Sequence, residues 1–359
     1  MGAGGAARTL LNIINNLDRT KFNPVLVTLD YDGDYEANVK SDVTFIKIKE
    51  KRLRKAIFPL AKLIRELKVD LVFSTIPNYN TIAILANLLS FSRAKNVVRE
   101  ADNLGGGFLT NLKLRGYGLI YKLSSQVVSL SEGVKQNLVR RYKVKSDDIE
   151  VIYNPVDLEN IYNRMNQGVI APKHTHVFAG DEKVIITAGR LVEQKDHKTL
   201  INAFAQVSRR VSSKLVILGE GHLKDTLIKQ TEKLGIKDKV FFIGFQQNPY
   251  VYFKNADLFV LTSVHEGFGH VLAEALATGT PVVSTDCQSG PAEVLDEAKY
   301  GLLSPVGDDA DIARKMYEVL SYDEEQLQAV IERGHTRASH FDAREIVKQY
   351  EALFTKTLQ

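Results

Sequence analysis

The chain has 359 residues, 44% of them hydrophobic and 25% charged, with a formal net charge of +4. That length exceeds one ordinary core and implies two domains, while the composition excludes a disordered or fibrous chain. The single cysteine, Cys287, excludes an internal disulfide framework, and the longest apolar run, "TIAILANLLSF", is half of a membrane span. Charge is unevenly spread: residues 1–158 carry 24 Lys and Arg against 16 Asp and Glu, and the remainder 23 against 27. Such a split points to an anionic partner for the first half.

The first element is "MGAGGAARTLLNIINNL". Gly2, Gly4 and Ala7 fit G-x-G-x-x-A, and "PVLVTLD" reads as a strand ending in an acid, Asp30. Two readings follow, a dinucleotide site or a loop holding some other phosphate. A Gly-rich phosphate loop needs a strand before it, in a central position of the sheet, and only Met1 precedes this one. The expectation is a first strand missing from the first domain, supplied by a native stretch of about ten residues upstream.

Beyond it, strand-like and helix-like runs alternate: "VTFIKI", "RKAIFPLAKLIRELK", "VDLVFST", "TIAILANLLS", "KNVVRE" and "QVVSLS". The pattern restarts with "KVIITAG", "HKTLINAFAQVSRR", "KLVILG", "LKDTLIKQTEKLG", "KVFFIG", "DLFVLTS", "HVLAEALATG" and "PVVSTD". Short β-rich runs separated by helices indicate parallel sheets of right-handed βαβ units. The fold class is α/β, two doubly wound Rossmann-like domains facing a cleft. Residues 1–157 form the first domain, 158–180 an aperiodic connection, and 181–340 the second domain. Residues 341–359 form a helix able to pack back on the first.

The chemistry concentrates in "LTSVHEGFGHVLAEALATGTPVVSTD". Glu266 and Glu274 are eight apart, with Gly267, Phe268 and Gly269 between them and a helix starting near His270. Glycines at a helix N-terminus expose N–H donors to a polar or anionic ligand. Carboxylates before the helix and one turn inside it can each take vicinal hydroxyls, as a sugar nucleotide would need. The alternative is that Glu266 caps the helix and Glu274 is solvated. "IITAGRLVEQKDHK" places Arg190 and Lys195 just after the strand that opens the second half. "LVILGEGH" and "VFFIGF" end later strands, so all these loops share the C-terminal sheet edge where open α/β sheets bind ligands.

Together with "GGAAR", "VVSLSEGVKQNL", "IEVIYNPVD" and "GPAEVL", these motifs resemble a family 4 retaining glycosyltransferase of the GT-B fold over nearly the whole chain. The resemblance implies roles. Arg190 and Lys195 hold the donor diphosphate and stabilise the departing nucleotide. Glu266, with the backbone of Gly267, Phe268 and Gly269, holds the donor sugar, and Glu274 the ribose. Ile243, Gly244 and Phe245 meet the nucleobase, and Gly4 and Gly5 approach the diphosphate from the first domain. It further implies same-face attack on a nucleotide sugar, a UDP-sugar expected, with a phosphate oxygen as base and no covalent nucleophile. The sugar is a hexose or N-acetylhexosamine, and the acceptor a surface glycan or lipid-linked saccharide of lipopolysaccharide or capsule type. Many relatives carry a His after the strand that here ends "VVRE". This chain has none, leaving Glu100, Asp102 or Asn103 as acceptor contacts, or "DNLGGG" as a mere turn.

The D-x-D patterns of "LDYDGD" resemble a metal motif of a different glycosyltransferase fold; a solvated loop is the expected reading. No metal and no cofactor are expected. "KIKEKRLRKAIFPLAKLIRELK", residues 47–68, is basic and amphipathic. Either it packs on its sheet, or its cations contact an anionic membrane. Nucleic acid is not expected, because aromatics are not interleaved with the basic residues. The expected location is the cytoplasm, with peripheral attachment to the inner face of the cell membrane as an option. Alternatives are a GT-B sugar-nucleotide epimerase or, if the short start is natural, an inactive scaffold.

Overall fold

The computed structural model describes residues 5–29 and 36–359. Gly2, Gly4, Asp30, Asp32 and Asp34, and with them the first glycines and the D-x-D patterns, lie outside these residues. The chain divides into two compact units, one of residues 1–156 with 341–359 and one of Asp157–His340.

The first unit holds β1 (Val25–Leu29) and β2 (Thr44–Ile48) in one sheet. A second sheet has the order β3 (Leu71–Thr75), β4 (Lys95–Glu100), β5 (Gln126–Ser129), β6 (Ile149–Val151). All pairings are parallel. Among the described residues no strand joins β1 to β3; two helices span the gap instead. Helix α1 (Gly5–Asn16) sends Ile13 to the core of the larger sheet, beside Val97 and Val128. The adjacent Ile14, about 100° further round the helix, packs with Leu26 and Val43 of the smaller sheet's core. Helix α2 (Ile57–Glu66) repeats the device through Leu60, which packs against both the Leu29/Ile48 cluster and the Ala61/Ile64 cluster.

The chain leaves this unit at Val156 and returns beside it. Val156 N–H donates to Phe341 O (2.8 Å), and Ala343 N–H donates to Val156 O (2.9 Å). The helix Ala343–Leu358 then buries Ile346, Val347, Tyr350 and Phe354 against β4 and β5. Arg99, fully buried, fastens it: the guanidinium donates to Tyr350 Oη (3.1 Å), Thr75 Oγ1 (3.0 Å) and Asn154 Oδ1.

The second unit has one parallel sheet of β7 (Lys183–Ala188), β8 (Ser213–Leu218), β9 (Val240–Gly244), β10 (Leu258–Leu261), β11 (Val282–Thr285) and β12 (Leu302–Ser304). Its spatial order is β12-β11-β10-β7-β8-β9. The middle strands are buried on both faces, hence their unbroken apolar runs. The stretch 158–180 is not featureless. It contains the helix Leu158–Gln167, capped by Asp157 and buried through Leu158 and Ile161, and a 3₁₀ turn Pro172–Val177. Both belong to the second unit. Its many Asn and Gln residues hide an i, i+3 apolar repeat.

Candidate active site

The sheet of the second unit reverses direction at β7. The chain runs outward through β8 and β9, then crosses back to β10 on the other side. The loops after β7 and β10 therefore emerge side by side at the carboxyl edge, the place where open α/β sheets bind ligands. The first carries Arg190 and Lys195, the second Glu266 and the glycines.

Those two loops are laced together. Val264 N–H donates to Gln194 O (2.9 Å), and Gln194 Nε2 donates to His265 O (3.0 Å). Thr262 Oγ1 lies 3.0 Å from the carbonyls of both Lys195 and Asp196. Across this lacing Lys195 Nζ donates to Glu266 Oε1, which also accepts from Ser263 Oγ (2.7 Å). The two side chains keep only 15% and 10% of their exposure. Ser289 Oγ donates to Glu266 O (2.7 Å), fixing the backbone as well. Ser263, Gln194, Thr262 and Ser289 were absent from the residues singled out in the sequence. The one signal is "LTS", hydroxyls directly after an apolar strand at the ligand edge.

Gly269, at φ 85°, caps the helix His270–Ala277, and Glu274 is buried in its second turn. Phe268 is also buried, so in this segment the backbone is what can meet a ligand. Arg190, two residues past β7, is exposed. Two non-glycine residues with left-handed backbone flank the centre, Asp196 (φ 42°) and Ser289 (φ 60°), a strain that clusters at functional sites. Cys287 lies close by, but burial pushes its thiol up to about 12 and leaves it inert. His197, at the start of the following helix, is pushed down to about 4 by burial and is neutral.

Beside β7, the glycines of "LGEGH" let two loops touch. A Cβ on Gly219 would stand 1.9 Å from Gly189 O, and one on Gly221 2.3 Å from Leu191 O. Gly219 N–H donates to Gly244 O (2.9 Å), linking this loop to the end of β9. Ile243 and Gly244 line a cavity of about 400 Å³ with Glu220, Lys224 and His174, and Phe245 projects into solvent. This end lies two strands from β7, about 10 Å away at ordinary sheet spacing.

In the first unit Glu100 closes β4 and is only 1% exposed. Its carboxyl accepts from Tyr121 Oη, from Asn80 Nδ2 (3.1 Å) and from Tyr142 Oη (3.2 Å). Burial pushes the acid up to about 7. Glu100 is thus an internal anchor, while Asp102 and Asn103 are half-buried in the following loop. There Asp102 Oδ1 accepts from Asn103 N–H (2.8 Å), and Asn137 Nδ2 donates to Asn103 Oδ1. Gly5 opens α1 and is exposed.

The sequence matches two family descriptions, "Glycosyltransferase Family 4" over residues 3–160 and "Glycosyl transferases group 1" over residues 172–337. It is 29% identical to N-acetylgalactosamine-N,N'-diacetylbacillosaminyl-diphospho-undecaprenol 4-alpha-N-acetylgalactosaminyltransferase of Campylobacter jejuni, over 97% of this chain and 95% of that protein. It is 25% identical to lipopolysaccharide 1,6-galactosyltransferase of Salmonella typhimurium, over 92% of this chain and 91% of that one. The structure is similar to that of Anabaena HepE in complex with UDP, with a TM-score of 0.83 and 20% identity over 98% and 96% of the two chains. That likeness is one of fold.

Proposed function

This chain belongs to the GT-B glycosyltransferases, a family 4 domain followed by a group 1 domain, and on that premise we propose that it moves a hexose or N-acetylhexosamine from a UDP-sugar to a lipid-linked or polysaccharide acceptor. The carrying observation is the Lys195–Glu266 pair at the reversal point of the second sheet, beside Arg190 and the N-terminus of the helix His270–Ala277. Arg190, and Lys195 which is shared with Glu266, can offset part of a diphosphate's charge without a metal. Glu266 is aimed by Ser263 and Lys195, so it can hold sugar hydroxyls in one orientation. Glu274 takes the ribose, and the end of β9 takes the base at a distance that suits a nucleoside diphosphate.

The transfer retains configuration in this reading. The bond from the anomeric carbon to the β-phosphate oxygen breaks, and the acceptor hydroxyl forms its bond on the same face. Its proton goes to a phosphate oxygen, while Arg190 and Lys195 stabilise the charge arriving on the leaving diphosphate. Asp102 and Asn103 are the acceptor contacts on the first unit; Glu100 supports them from inside. The similar HepE structure holds UDP, and the Campylobacter relative is named for a diphospho-undecaprenol acceptor, which supports both substrate classes. The epimerase alternative draws no support from relatives named as transferases. We place the enzyme in the cytoplasm, where its buried free thiol suits a reducing medium. Among the described residues no helix is long and apolar enough to cross a membrane.

The test is release of the nucleotide from a panel of nucleotide sugars, with the anomeric configuration of the product read by NMR. UDP-hexoses or UDP-N-acetylhexosamines should turn over with retention. Glu274→Ala and Arg190→Ala should each lose at least about a hundredfold, the scale of one charged contact to the developing charge. Turnover close to wild type in both folded variants, or epimer formation in place of release, would overturn the reading.

A further inference from the structure

Helix α3 (Pro77–Ser90) is followed in the chain by α4 (Phe108–Tyr121), which is apolar on its outer face as well as its inner one. It docks through Leu114, Gly118 and Tyr121, and so closely that a Cβ on Gly118 would meet Tyr142 O at 1.7 Å. At i, i+4 and i+11 on the opposite side stand Phe108, Leu112 and Leu119, with Leu109 beside them and Leu123 in the turn just past the helix end. These positions form one stripe. All five are exposed, Phe108 at 82% and Leu109 at 79%. Single exposed leucines are ordinary, but several on one side of a helix, here interrupted only by Arg115 and Gly116, mark an interaction surface.

The surroundings of the stripe specify what it meets. Residues 103–131 contain no Asp or Glu, while Arg115 and Lys122 flank the apolar side chains. Next to them a recess of about 200 Å³ is lined by Asn111, Arg115, Arg140 and Arg141, and no carboxylate lines it. Arg141 is held in place by donating to Asn111 Oδ1 (2.7 Å). A row of Phe and Leu on a helix, rimmed by guanidiniums that can fork around phosphate, is the chemistry of a helix lying in an anionic bilayer surface. From Phe108 to Leu119 the stripe runs about 16 Å along the helix, enough to lie flat in the headgroup region but too short to span the bilayer. We propose that α4 is the membrane-docking element, its stripe entering the acyl boundary while the arginine recess takes an anionic phospholipid headgroup.

This surface is separate from residues 47–68. There Ile57, Leu60 and Ile64 pack into the core of the first unit, and the outward side carries only Phe58 and Leu67 as exposed apolar residues, against five around α4, with Lys62 paired to Glu66. The proposal also stands apart from the donor chemistry, because α4 carries none of the residues assigned to transfer.

The test is sedimentation of the full chain with phosphatidylcholine vesicles, with and without phosphatidylglycerol. Wild type should bind the anionic vesicles. Leu112→Gln/Leu119→Gln and Arg115→Gln/Arg140→Gln should each bind at least tenfold more weakly, with unchanged melting temperature and unchanged donor hydrolysis in solution. The triple reversal Arg52→Glu/Arg54→Glu/Lys55→Glu should bind within about twofold of wild type. Binding by the stripe variant equal to wild type would overturn the proposal. So would loss only in the triple reversal, or absence of vesicle binding combined with a dimer that the stripe variant dissolves.

Discussion

Replacing Lys195 by Met and Glu266 by Gln, singly and together, tests the centre of the site. Lys195 and Glu266 lie 71 residues apart on loops that follow neighbouring strands, and each is mostly withdrawn from solvent. Removing one member of a fully buried pair costs about 3–5 kcal/mol. Here residual exposure and the remaining Ser263 bond lower that to about 2 kcal/mol of stability for Lys195→Met. On catalysis the loss is larger, because Lys195 is assigned to the diphosphate as well as to Glu266. A donor to developing charge is worth about 10² to 10³ in kcat. Glu266→Gln keeps an acceptor for Ser263 but no longer aims the ammonium, so it should lose about tenfold or more through misplacement. The double variant should then lose less than the product of the singles, a coupling of about 1–2 kcal/mol. The assay is kcat/KM for nucleotide release across the cycle, with melting temperatures as controls. Additivity within about 0.5 kcal/mol, or near-normal kcat/KM in Lys195→Met, would refute the assignment of one shared task to the pair.

Gly219→Ala places a Cβ 1.9 Å from Gly189 O at a φ of 134°, so it should destabilise the chain by about 3 kcal/mol or more; an unchanged melting temperature would contradict the close approach of these loops. Glu100 has a different signature. Its folded pKa of about 7 stands above the ordinary value of 4.5, so over that interval the folded chain keeps a proton that the unfolded chain has lost. The stability this contributes is full at pH below about 4.5 and declines as pH rises to about 7. Glu100→Gln, which can still accept from Tyr121 and Asn80, should flatten the melting profile over that window; the same slope in the variant would exclude Glu100 as its source. Chelation is the remaining test. With Arg190 and Lys195 on the diphosphate, EDTA should leave transfer largely intact, and activity lost to chelator and restored by Mn²⁺ would return attention to Asp32 and Asp34.

The alternation of β-rich and helical runs, and the placing of Arg190, Lys195, Glu266 and Glu274 at one sheet edge, were legible because local period and βαβ handedness leave few arrangements. The helix Leu158–Gln167 was not, since its apolar positions are diluted by amides that lower its contrast. Helix α4 was missed for a deeper reason. Its glycines weaken the helical signal, and its apolar stripe, which in a core helix faces inward, here faces out.

Glu100 shows the same division. As a letter after "VVR" it read as a candidate for contact with substrate, and nothing local distinguishes a surface carboxylate from an enclosed one. Tyr121 and Tyr142, 21 and 42 residues further on, enclose it. The pairing of Lys195 with Glu266, and their support by Ser263, Gln194 and Ser289, likewise depend on which strands become neighbours. The sequence by itself determined the elements, their parallel order and the chemical types at the ligand edge, because those follow from period, propensity and composition within short windows. Only the tertiary structure decided which carboxylate is sealed and which is presented, and which apolar face stays in water, because burial and pairing arise from contacts between residues far apart in the chain.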